Sequence, residues 1–110
     1  MSEHRRKFLV VADQSEECRT ALYFAAKRAQ ATECGLILLA VIEPSNFDHW
    51  IGVSETMRRE AEEEATELLD ALAEDAEAVL GERPELVLRE DELRSAMADL
   101  IEEDSTISIL

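Results

Sequence analysis

Asp13, Gln14 and Ser15 follow directly on the apolar run Phe8-Leu9-Val10-Val11-Ala12. A carboxylate at the end of a strand can accept hydrogen bonds from a ligand's amine or hydroxyl groups. A serine two residues on can donate to a ligand or cap the next helix. From spacing alone the pair serves equally well as a plain helix start. The other reactive side chains are scattered. Cys18 falls on the apolar face of a predicted helix, Cys34 lies apart from it, and no C-x-x-C occurs, which points to buried free thiols. His4 and His49 stand alone and read as surface or loop residues, and the acids of Glu60-Ala61-Glu62-Glu63-Glu64 read as the wet face of a helix. No nucleophile–base pair and no cluster with metal-ligand spacing is present, so the residue types favour binding over catalysis.

The elements that must position Asp13 are legible in the hydrophobic pattern. Phe8 to Ala12 and Leu36 to Ile42 are short, continuous apolar runs rich in branched residues, as expected of strands buried on both faces of a parallel sheet. Between them Cys18, Ala21, Leu22, Ala25, Ala26 and Ala29 recur at three- and four-residue steps, one stripe of a helix. Ser15 is its N-cap, Glu16 and Glu17 suit the positive end of the helix dipole, and Gly35 ends the connection. Residues 8–42 therefore read as a right-handed βαβ unit. A loop from Glu43 to Gly52 carries Phe47 and Trp50. A helix follows from Ser54 to Leu80, closed by Gly81, with a stripe running from Met57 through Ala65 and Leu72 to Leu80. At about 40 Å it is longer than a sheet needs, so its first turns should kink or project. Pro84 to Arg89 reads as an edge strand. A helix over Leu93, Met97, Leu100 and Ile101, with Asp91 as its cap, leads to a last strand from Thr106 to Leu110. The β-α-β-α-β-α-β order predicts a single α/β domain over residues 1–110, a three-layer α/β/α sandwich on a parallel sheet.

Length and charge exclude several functions. A chain of 110 residues and 12.4 kDa supports one core. The longest uncharged apolar run, Leu36 to Ile42, is far short of the roughly 20 residues of a membrane helix, and Phe8 to Ala12 is too short for a secretory signal, so a cytoplasmic protein without a membrane partner is expected. The formal charge is −15, and it is unevenly spread: residues 1–35 carry six bases against five acids, residues 36–110 five bases against 21 acids. Such a field repels phosphodiester backbones and argues against nucleic-acid binding. The three glycines, Gly35, Gly52 and Gly81, rule out both G-x-G-x-x-G and a Walker loop after the first strand. A phosphoacceptor receiver domain would need a lysine late in the chain, and none follows Lys27.

The segment Phe8 to Ser15, an alanine-rich helix containing Ala21-Leu22 and Ala25-Ala26, and Leu36 to Ile42 running into Glu43-Pro44 together resemble the universal stress protein family over essentially the whole chain. The resemblance implies a stress-response binding protein without chemistry of its own, a sheet of order 3-2-1-4-5 and a homodimer. Some members bind ATP in the crevice between strands one and four. Carried over, Asp13 matches the carboxylate near the adenosine, Ala12 the backbone beside it and Val41 the strand-two position that touches adenine. Ser15 matches the motif serine, in a helix-capping role.

The chain departs from the family at its end. ATP-binding members hold the phosphates with Gly-x2-Gly-x9-Gly-Ser/Thr after strand four, whereas these residues stop at Leu110, inside that strand. The resemblance thus implies a domain lacking its last helix and strand, with an adenine-side wall and no phosphate cradle, a poor ATP site in these 110 residues. Either the edge formed by Ile107, Ile109 and Leu110 is expected to pair with another chain, or these residues are a fragment of a longer protein that binds the nucleotide in its full-length form. Two alternatives follow from other features: an interaction module using the acidic helix face or the Phe47/Trp50 loop, and an adenylate-handling enzyme. The second lacks any Ser-Gly-Gly or His-x-Gly-His phosphate motif.

Overall fold

The computed structural model describes residues 5–43 and 54–109. The elements run β1 (Lys7–Val11), α1 (Glu16–Ala31), β2 (Gly35–Ile42), α2 (Ser54–Leu80), β3 (Glu85–Glu90), α3 (Leu93–Glu103) and β4 (Ile107–Ile109). All three strand pairings are parallel, and the order is β3-β2-β1-β4. Right-handed crossovers explain the layering. From β1 to β2 to β3 the chain steps in one direction, so α1 and α2 share a face. From β3 to β4 it steps back past β1, so α3 covers the other.

Side-chain alternation along the strands follows from this. Phe8, Val10, Leu36, Leu38 and Ala40 pack under α1 and α2, among Leu22, Ala25, Ala26, Leu69 and Leu72. Leu9, Ile37, Leu39 and Ile107 pack under α3, against Ala96 and Leu100. β2, paired on both sides, is buried on both faces, while β3 at the edge is only half-buried. The three-layer sandwich expected from the sequence is the fold observed.

Three details differ from expectation. Ala21 is exposed on α1, at the margin of the stripe, while Ala73 and Ala96 join the core. Asp91 does not cap α3: the N-cap position belongs to Glu92, and Asp91 accepts the N–H of Glu92 instead. The α1–β2 turn uses Glu33, at φ 58°, rather than Gly35, which opens β2. α2 is one helix of 27 residues that overshoots the sheet. Phe47 and Trp50 lie outside the described residues, as does Leu110. Among the described residues β4 pairs with β1 alone, and the Ile107 side chain is buried beneath α3. No described helix is long and apolar enough to cross a membrane.

Candidate functional site

The turn after β1 is locked before any ligand is considered. Ala12 donates its N–H to the carbonyl of Leu39 at 2.7 Å, extending the β1–β2 ladder by one bond. The Ser15 side chain accepts the N–H of Cys18 at 3.1 Å and so caps α1. Its own N–H and hydroxyl both donate to Oδ1 of Asp13, which holds the Asp13 carboxyl below the ordinary carboxylate range, the hydroxyl contributing most. The buried Cys18 thiol supports the same turn: it donates to the Val11 carbonyl and accepts the Asp13 N–H, each at 3.4 Å.

The turn forms one wall of a cleft of about 600 Å³ at the C-terminal ends of β1 and β2. Val11, Ala12 and Asp13 line it from the end of β1 and the turn after it, and Val41, Ile42 and Glu43 from the end and exit of β2. The first half of α2 closes a third side with Met57, Glu60, Ala61, Glu64 and Ala65, and Leu93 of α3 completes it. The cleft exists because the α2 stripe changes size: Leu68, Leu69 and Leu72 pack onto the sheet, whereas Ala61 and Ala65 leave room beyond the strand ends. The volume lies within the roughly 300–1,000 Å³ of small-molecule sites.

Of the four residues singled out in the sequence, Ala12, Asp13 and Val41 line this one cleft. Ser15 does not line it and acts through Asp13 and the helix cap. Sequence reasoning missed the contributions of α2 and Glu43. Glu43 Oε2 accepts the N–H of Leu93 at 3.2 Å, tying the exit of β2 to the N-terminus of α3. Four carboxylates, Asp13, Glu43, Glu60 and Glu64, therefore line a cleft with otherwise apolar walls, and no Lys or Arg joins them among the described lining residues. Such a rim favours hydrogen-bond donors and positive charge and opposes bare anions. No group of three or more metal-ligating side chains gathers among the described residues.

The arrangement is an α/β sandwich with a cleft beyond the C-terminal ends of β1 and β2. Its described lining includes no β4 residue, so it differs from the crevice between strands one and four that the resemblance implied. The Universal stress protein family model matches residues 4–109, and the chain belongs to that family. Among solved structures it is similar to the universal stress protein UspA from Lactobacillus plantarum, at 16% identity and a TM-score of 0.79, covering 94% of this chain and 74% of that one. A universal stress family protein from Burkholderia pseudomallei superposes at 0.78 with 19% identity, covering 97% and 82%. A universal stress protein in complex with cAMP superposes at 0.63 with 17% identity, covering 90% and 65%. Identities this low carry the fold alone. No curated protein sequence matches the chain.

Proposed function

We propose that the chain is a non-catalytic, cytoplasmic binding protein of the stress response, whose cleft takes the adenosine part of an adenine nucleotide. One observation carries this reading: Asp13, in the turn after β1, and Val41, in β2, line a single cleft with otherwise apolar walls. A purine can lie against Val11, Ala12, Val41 and Ala61, and an ionised Asp13 is a hydrogen-bond acceptor for ribose hydroxyls or an exocyclic amine. The relative solved with cAMP supports an adenine ligand for this fold. ATP is the less suited form, because no described lining residue offers a positive charge to its phosphates.

Titration calorimetry with adenosine, AMP, cAMP and ATP tests the proposal. Binding of at least one adenine compound, lost in Asp13→Ala with folding intact, supports it. Absence of heat at millimolar concentration of all four removes it. The carboxylate rim favours a second reading, an interaction module that binds no nucleotide and docks a basic partner. Homodimer formation is part of the proposal: among the described residues β4 pairs with β1 alone, and its other edge is a surface at which a second chain can add.

A further inference from the structure

Helix α1 turns two large aromatic side chains outward. Tyr23 is 50% exposed and Phe24 is 65% exposed, although the inward stripe of the same helix is fully packed with Cys18, Leu22, Ala25, Ala26 and Ala29. The two rings meet edge to face at 5.9 Å, and the Lys27 ammonium sits 5.8 Å from the centre of the Tyr23 ring. Neither ring contributes to the described core clusters.

The charges on this face are ordered. Glu17, Thr20, Phe24, Lys27 and Ala31 follow at three- and four-residue steps, all exposed, with Glu16, Tyr23 and Arg28 beside them. The acids at one end and bases at the other suit the helix's own dipole. Yet Glu16, Glu17, Lys27 and Arg28 take part in no ion pair among the described residues. An acid–aromatic–base order along one helix complements itself when reversed. Laid antiparallel on a second copy, with the helices level at Leu22, Glu17 faces Lys27, Glu16 faces Arg28 and Thr20 faces Phe24.

We infer that the outer face of α1 is a docking surface for a second copy of this chain, a two-fold contact level at Leu22 in which Tyr23 and Phe24 of each copy flank the centre. Self-pairing supplies both halves of the complementarity from one sequence, as an isologous interface requires. The contact is weak. A 16-residue helix is about 24 Å long, and one helix pair buries less than the roughly 1,200–2,000 Å² of a stable interface. The net charge of −15 opposes it further, so moderate salt should promote association by screening the whole-molecule repulsion.

Sedimentation velocity over a concentration series tests this with two charge variants of the same chain. Lys27→Glu/Arg28→Glu carries acids at both ends of α1, and Glu16→Lys/Glu17→Lys carries bases at both ends. Wild type should associate as concentration rises. Each variant alone should lose this concentration-dependent step at a tenfold higher concentration, whatever association the β4 edge supports, and the two mixed one to one should recover it. Phe24→Ser, an exposed substitution that leaves the core intact, should weaken self-association about tenfold if its ring is the anchor. Circular dichroism confirms that each variant is folded. A wild type monomeric throughout overturns the inference, as does association that neither the swaps nor Phe24→Ser alters, which would point to another surface such as β4.

Discussion

Ser15 does two jobs with one hydroxyl, accepting the Cys18 N–H as a helix cap and donating to Asp13. Ser15→Ala should cost about 1 kcal/mol in urea unfolding, the ordinary worth of an N-cap. Unlike a cap that serves the helix alone, its loss should also let the Asp13 pKa rise, observable in a carboxyl NMR titration. Asp104 offers a sharper pH signature. The Lys7 ammonium at 2.8 Å, followed by the Thr106 hydroxyl and N–H, pulls its pKa from 3.8 down to about 2. Because the folded value is the lower one, this stabilisation is complete above the unfolded pKa and is lost as pH falls from 3.8 through about 2. Stability measured across that window should drop in wild type, and Asp104→Asn should lack this component of the drop. Lys7 is also bound to Glu85 at 2.8 Å, and its pKa is raised, Asp104 contributing most. Its share is present below the unfolded value of 10.5 and disappears as pH climbs through the folded one.

Among the elements, α2 does the most varied work. Its second half is core: Leu72 is 0% exposed, and Leu72→Ala should destabilise by about 2–5 kcal/mol in denaturant unfolding, the range for emptying a packed leucine site. Its end rests on Gly81 at φ 92°. A Cβ there would meet nothing within 4 Å, so Gly81→Ala tests backbone strain without a clash, and a loss of about 1 kcal/mol is expected. The strands and helices were legible in the sequence because burial imposes a period. β2 is apolar at nearly every position since helices cover both its faces, and the α2 stripe recurs over seven turns. What stayed hidden depends on distant neighbours. Glu43 reaches the N-terminus of α3 across 50 residues, in place of the adjacent Asp91 that the local pattern suggested. Glu60 and Glu64 read as solvated charges until the overshoot of α2 sets them over the strand ends. The change from leucine to alanine along the stripe was the available signal, since a packed helix that narrows its side chains leaves space opposite them.

At the scale of the molecule, the proposed adenosine site makes charge the selector among adenine compounds. The rim is formed by four carboxylates, and residues 36–110, which supply three of them, carry a net −16 in all. An adenosine offers donors to this rim and carries no charge of its own, whereas each added phosphate brings negative charge toward Glu43, Glu60 and Glu64. In metal-free buffer, affinity measured by calorimetry should therefore fall from adenosine to AMP to ATP. The gap should narrow as salt shortens the Debye length from about 30 Å at 0.01 M to about 8 Å at 0.15 M. Glu60→Gln/Glu64→Gln should raise AMP affinity severalfold and leave adenosine nearly unchanged, because both positions are on the exposed side of α2 and contribute charge more than packing. If the double variant instead weakened adenosine and AMP alike, the two glutamates would be direct contacts to the nucleoside. If ATP bound wild type more tightly than adenosine, cationic groups absent from the described rim would have to supply the phosphate contacts, and the base-side cleft would be only part of the site.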